Sequence, residues 1–132
     1  MKHAPGRCMS RDFKKLDVFH LGDGLVIEIY RATRQFPVDE RYGLQAQLRR
    51  ATVSVPSNIV EGSARGSNRD YAHFLRIALG SASEARYLVS VAARLEFFDH
   101  GTADSLRIRF DRLVKDLELL SQRVAATLNQ GN

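Results

Sequence analysis

Five polar side chains between positions 47 and 61 are spaced so that they fall on one side of an α-helix. The steps of three and four residues run through Gln47, Arg50, Ser54, Asn58 and Glu61. One hypothesis is a hydrogen-bond network, buried or between subunits, in which Glu61 or Glu84 neutralises Arg50, because an unpaired charge is costly to bury. The other hypothesis is a contact surface for nucleic acid or protein.

The remaining reactive side chains lack the spacing of a catalytic or metal site. No two histidines lie three or four positions apart, no Glu stands three positions before a His, and Cys8 is the single cysteine. Zinc and di-iron sites in helical proteins need such patterns. The segment Gly62–Gly66 also lacks the length and the Lys-Ser/Thr ending of a phosphate-binding loop. We therefore predict no catalytic residue, no metal and no cofactor, and a protein that is not an enzyme. The histidines are His3, His20, His73 and His100.

The charge balance favours an anionic partner. Among 132 residues, 20 are basic and 15 acidic, a net charge of +5, and most of the basic residues are Arg, whose planar fork suits phosphate. Taken singly, each is more typical of a solvated surface charge, but together they make candidates for nucleic-acid binding. We expect binding through the phosphate backbone with weak sequence specificity, because the tyrosines mostly fall on apolar faces. The candidates are Lys14, Lys15, Arg31, Arg34, Arg41, Arg49, Arg65 and Arg69.

Apolar periodicity predicts four helices and no strand. Asp17–Gln35 would form the first helix and Asp39–Glu61 the second, with a kink at Pro56. The third would be capped by Ser67 and extend to about Phe97, and the fourth would be capped by Thr102 and extend to about Leu128. We expect residues 1–11 to be disordered, 12–128 to form the bundle and 129–132 to fray.

Heptad seams run along the last two of these helices, and short turns join all four. Short turns make successive helices antiparallel neighbours, so the fold class is an all-α, up-and-down four-helix bundle. The seam of the first helix is predicted to centre on Phe19, Val26, Ile29, Thr33 and Phe36, with Val18, Leu21 and Leu25 widening the apolar stripe. The third-helix seam comprises Tyr71, Leu75, Ala78, Ala82, Ala85, Val89 and Ala92, and the fourth-helix seam Leu106, Phe110, Leu113, Leu117, Leu120 and Val124.

From about Phe13 to Leu95 the chain resembles a known family, the small four-helix proteins encoded within intervening sequences of bacterial 23S rRNA genes. This resemblance implies a four-helix bundle that assembles as a homopentamer. The family also includes accessory proteins of diversity-generating retroelements, which bind nucleic acid and a reverse transcriptase. The matching residues are Phe36-Pro37, Tyr42-Gly43-Leu44, Gln47-Leu48-Arg49-Arg50-Ala51, Ser54, Asn58-Ile59, Glu61-Gly62, Arg65, Ala78, Gly80-Ser81 and Glu84.

Charge and resemblance together favour a non-catalytic, homo-oligomeric protein that binds nucleic acid, with structured RNA a better candidate than DNA. The alternative is a structural adaptor whose pentamer docks on a protein partner such as a reverse transcriptase. We expect a cytoplasmic location without membrane contact, because the first residues lack the apolar core of a signal peptide and no apolar run approaches about 20 residues.

Overall fold

Each of the four amphipathic segments forms a helix in the computed structural model of the protein, which describes residues 12–130. The helices are α1 (Asp17–Ala32), α2 (Leu44–Ala64), α3 (Asn68–Arg94) and α4 (His100–Gln130), and this part of the chain contains no strand. Helix α2 packs on α1 and α3, and α4 packs on α3 and α1. The prediction of an all-α, up-and-down four-helix bundle is therefore confirmed.

Small residues bring α3 close to both of its neighbours. All seven residues of its predicted seam are buried, and four of them are alanines. A seam of alanines keeps the interaxial distances short, so α2 and α4 can both contact α3 along its length. On α4, the seam residues Leu106, Phe110, Leu113 and Leu117 are buried as predicted. Leu120 and Val124 are only partly buried, at the edge of the core.

The seam of α1 agrees with the prediction at Ile29, Thr33 and Phe36, which are buried, and differs from it earlier in the helix. Val18, Gly22, Leu25 and Ile29 face the core, whereas Phe19 and Val26 are half-buried. A Cβ at Gly22 would lie 3.4 Å from Val55 Cγ1 of α2, so the absence of a side chain there lets the two helices approach.

Helix α2 begins and ends later than the sequence indicated. Val38–Glu40 form a separate 3₁₀ turn, and a Glu40 carboxylate oxygen accepts a hydrogen bond from the Leu44 amide at 2.9 Å. Glu40 thus caps α2 where the sequence had placed it inside the helix. At the other end the helix continues through Gly62 to Ala64, and Pro56 is accommodated inside it.

Helix α3 starts as predicted and ends earlier. The Ser67 hydroxyl accepts a hydrogen bond from the Asp70 amide, which is an N-cap. At the C-terminus the Phe97 amide donates to the Ala92 carbonyl and the Glu96 amide to the Ala93 carbonyl, a Schellman motif. Glu96 has a φ of 62°, the left-handed conformation that stops the helix at Arg94 instead of Phe97.

The cap of α4 is Asp99, not Thr102 as predicted. The Thr102 amide donates to Asp99 Oδ1 at 2.8 Å, and the Thr102 hydroxyl donates to Oδ2 at 2.9 Å. Thr102 lies inside the first turn and is the donor in both bonds. The backbone bond and then the side-chain bond stabilise the ionised carboxylate, so the pKa of Asp99 is lowered from its usual value.

Asp99→Ala is expected to lower the melting temperature at pH 7 by a few degrees, because the first turn of α4 loses its cap. A lowered pKa means that this stabilisation is present above the unfolded value of about 3.9 and is lost as the pH falls through the folded value. The difference from wild type should therefore shrink at a pH of about 2.5, as circular dichroism melts would show. Ser105→Ala, at an exposed position within α4, is the control. An undiminished difference at low pH would contradict the assignment of the cap.

Two predictions concern the ends of the chain. The predicted disorder of residues 1–11 lies outside the described residues, as do Gly131 and Asn132. Asn129 and Gln130, predicted to fray, belong to α4. None of the helices within residues 12–130 is both long enough and apolar enough to cross a membrane.

Candidate nucleic-acid interface

The eight candidate basic residues are divided between the two ends of the bundle. Helix α2 separates them, and its 21 residues span about 31 Å. They therefore form two separate groups on one chain. At the end where α2 meets α3 are Lys14, Lys15, Arg65 and Arg69, and at the end where α1 meets α2 are Arg31, Arg34, Arg41 and Arg49.

At the α2–α3 end, Arg65 contacts one side chain of α2 and one of α3. Its Nη2 lies 2.7 Å from Glu61 Oε2, and its guanidinium lies 4.9 Å from the centre of the Phe74 ring. The pair is exposed to solvent, so it contributes little to stability, but it neutralises the charge locally. Lys14, Lys15 and Arg69 are exposed.

At the α1–α2 end, Arg49 joins the two helices. Its Nε donates to Thr33 Oγ1 at 2.8 Å and its Nη2 donates to the Tyr30 carbonyl at 3.2 Å. The guanidinium also lies 4.5 Å from the centre of the Tyr30 ring. Thr33 is fully buried, and its hydroxyl in turn donates to the Ile29 carbonyl. Arg49 therefore has a structural role in addition to any contact with a ligand.

The other three candidate arginines at this end have no carboxylate partner among the described residues. Arg31, Arg34 and Arg41 are exposed, and none forms an ion pair with another residue in the range 12–130. Arg50, the residue after Arg49 on α2, is likewise exposed and makes no such pair. Together with Arg49 they form what we call the arginine end: Arg31, Arg34, Arg41, Arg49 and Arg50.

Most of the polar stripe on α2 lies along the contact with α3. Gln47 Nε2 donates to Glu84 Oε2 at 3.4 Å, and the hydroxyls of Ser54 and Ser81 lie 2.8 Å apart. Asn58 Nδ2 donates to the Ser54 carbonyl and hydroxyl. These groups are half-buried or exposed, so the stripe is a hydrogen-bonded seam at the surface and not a network inside the bundle.

Within residues 12–130, Arg50 forms no ion pair with Glu61 or Glu84, the two residues hypothesised to neutralise it. Glu61 pairs with Arg65, which is one turn away, whereas Arg50 is about three turns away on the same helix. Glu84 accepts its hydrogen bond from Gln47. Arg50 points to solvent, where an unpaired charge costs nothing to keep hydrated.

The tyrosines differ from the sequence-based expectation. Tyr71 is buried, but Tyr42 is 89% exposed, Tyr87 is 61% exposed and Tyr30 is 41% exposed. Tyr42 lies in the turn before α2, outside any helical stripe, so apolar periodicity could not place it. The sequence had placed Tyr42 in the first turn of the predicted second helix, and the neighbouring Gly43 was the available signal of a turn there.

Sequence reasoning also missed Thr33 and Ser81 as polar partners, since their bonds depend on which helices are adjacent. Within residues 12–130, no three or more His, Cys, Asp or Glu side chains converge as a metal site would require. What this end of the bundle presents is exposed guanidinium groups near the exposed rings of Tyr30 and Tyr42.

Comparison with known proteins identifies the family. The chain is similar to a solved structure of a protein with unknown function from the S23 ribosomal protein family of Bacteroides thetaiotaomicron. The TM-score is 0.71 at 24% sequence identity, over 79% of this chain and 97% of that chain, so the likeness concerns the fold alone. No curated protein matches the chain. The family model described as 23S rRNA-intervening sequence protein matches residues 14–119, from the turn before α1 well into α4, and the chain therefore belongs to this family.

Proposed function

We propose that the protein is a non-catalytic, homo-oligomeric nucleic-acid-binding protein whose preferred partner is structured RNA. The observation that supports the proposal is the arginine end, where Arg31, Arg34, Arg41 and Arg50 are exposed without an ion pair to another described residue. A guanidinium without a carboxylate partner can bind phosphate without first breaking an internal contact. The family name refers to an intervening sequence in 23S rRNA, which makes RNA the first partner class to test.

Oligomerisation would strengthen weak contacts of this kind. Each chain carries a net charge of +5, and a pentamer, as the family resemblance implies, would present five copies of the same end. A few phosphate contacts per copy then add through avidity on one RNA. Contacts to the phosphate backbone carry little sequence information, so specificity is expected to be weak.

The test is fluorescence anisotropy of the full, nuclease-treated chain with a labelled RNA hairpin and a DNA duplex over a salt series. Binding should weaken steeply between about 50 and 300 mM salt, because phosphate contacts release counterions. The double variant Arg34→Gln/Arg41→Gln should bind about ten-fold more weakly. The slope of log affinity against log salt concentration should also become shallower by about one for each arginine removed.

The matched control is Arg76→Gln/Lys115→Gln, which removes the same charge from exposed positions on α3 and α4. If both double variants lose equal affinity, net charge and not the arginine end is responsible. If wild type fails to bind at low salt, the proposal is wrong.

The surface seam between α2 and α3 favours a second candidate, an adaptor that docks on a protein partner. Arg50 and Ile77 are exposed beside the Ser54–Ser81 bond, so this face combines apolar, charged and hydrogen-bonding groups. A partner held there would remain bound at salt concentrations that release nucleic acid. Arg50→Ala would then weaken assembly with the partner, whereas the nucleic-acid proposal predicts a loss of RNA affinity.

A further inference from the structure

A surface groove of about 790 Å³ lies where the end of α1 faces the first turns of α2. Eight of the described residues line it, and none of them carries a carboxylate: Gln45, Ala46 and six that supply its rings, guanidinium groups and larger aliphatic side chain. Two tyrosine rings and three arginine guanidinium groups surround this groove. The six are Tyr30, Arg41, Tyr42, Arg49, Arg50 and Val53.

The two walls of this groove differ in how firmly they are held. On the α1 side, the Tyr30 ring is stacked under the guanidinium of Arg49, which is fixed by its bonds to Thr33 and the Tyr30 carbonyl. On the α2 side, Tyr42 extends into solvent with 89% of its surface exposed, next to Arg41. A tyrosine so exposed buries almost none of its apolar surface in folding, and the fold gains almost nothing from it.

We infer that this groove binds an unpaired nucleotide, with the base stacked on Tyr42 and the phosphate held by Arg41 and Arg50. The inference rests on the proposed nucleic-acid function and names the site and the form of the ligand. Every base offers a flat π face to an aromatic side chain, and neighbouring arginines track the phosphates, as in proteins that bind single strands.

Other occupants fit the groove less well. Bases in a duplex are stacked on one another and cannot stack on Tyr42 unless the duplex opens. An amphipathic peptide helix needs a row of apolar anchor points, whereas this groove offers Val53 as its one aliphatic side chain larger than alanine. Three arginines with no acidic neighbour in the lining match the charge of a nucleotide chain.

The test compares Tyr42→Ala, Tyr42→Phe and Tyr87→Ala in the full-length protein. Tyr87 is the control because it is also largely exposed but lies on α3, outside the groove. The probes are labelled single strands of RNA and DNA of about 12 nucleotides, a length within the usual site size. The same DNA strand with abasic central positions and the corresponding DNA duplex complete the set.

Tyr42→Ala should bind the single strands about ten-fold more weakly than wild type, while Tyr42→Phe and Tyr87→Ala should match wild type. The loss should shrink with the abasic strand, which offers fewer bases to stack, and disappear with the duplex, whose bases are already stacked on one another. The ratio of RNA to DNA affinity then identifies which nucleic acid the site prefers.

Three results would overturn the inference. If Tyr42→Ala binds single strands as wild type does, the groove is not the site, although duplex or hairpin binding would leave the proposed function standing. If wild type binds none of the probes at low salt, both fail together. If Tyr42→Ala changes the mass of the assembly in light scattering and leaves oligonucleotide affinity intact, the groove is a contact between copies of the chain.

Discussion

Phe110→Ala should lower the free energy of unfolding by about 3–5 kcal/mol. Phe110 is the largest of the fully buried side chains and lies in the middle of the α4 seam, where its ring fills the space between helices. Removing it loses the transfer free energy of the ring and leaves a cavity that packed helices can close only in part. Urea denaturation at several protein concentrations would measure the change while accounting for any oligomer.

Ile108→Ala is the matched control for this substitution. Ile108 lies on the same helix two residues earlier but is 69% exposed, so its truncation should change stability by about 0.5 kcal/mol or less. Equal losses for Phe110→Ala and Ile108→Ala would contradict the assignment of the α4 seam. The sequence had already placed Phe110 on that seam, so the comparison tests the periodicity argument as well.

Gly62→Ala should destabilise the bundle by about 1–3 kcal/mol, although alanine is the better helix former. A Cβ at Gly62 would lie 2.8 Å from Phe74 Cβ and 3.3 Å from Tyr71 Cδ1 on α3. The Phe74 Cβ is fixed to the α3 backbone and cannot swing away, so the helices would have to move apart. Thermal unfolding followed by circular dichroism would measure the loss.

Gly80→Ala provides the opposite case on α3. A Cβ there would meet nothing within 4 Å, and the residue is exposed on its helix. Alanine should therefore stabilise the chain by up to about 1 kcal/mol through helix propensity. A stabilising effect of Gly62→Ala as well would contradict the assignment of a close contact between α2 and α3 at Gly62.

The contrast between helices shows which features a sequence can predict. The α3 seam followed from periodicity because one apolar stripe ran its whole length without a competing one. On α1, two adjacent stripes were both apolar, and the choice between Phe19 and Gly22 depended on which side faces α2. Gly22 is buried because Val55 and Pro56 pack on it, which a single helix cannot reveal.

Helix ends and the candidate site were harder to predict for a related reason. Glu40 and Asp99 cap their helices because the short turns before α2 and α4 place their carboxylates beside the first backbone amides. Helix propensity locates such helix ends only to within a few residues. The bonds from Arg49 to Thr33 and from Ser54 to Ser81 join residues far apart in the chain. These bonds depend on how one helix is aligned against the next. The sequence could therefore identify the basic candidates by residue type, but it could not show which of them lie at the same end of the bundle.

The anchoring of Arg49 affects how strongly the groove could hold a ligand. A flexible side chain that becomes ordered only on binding loses about 0.5–1.5 kcal/mol of conformational entropy at that step. Arg49 loses this freedom when α1 and α2 pack, because Thr33 and Tyr30 already hold its guanidinium. The entropy cost thus falls on folding and not on association. One wall of the groove is preorganised, whereas the exposed Arg41, Tyr42 and Arg50 would still have to be ordered by the ligand.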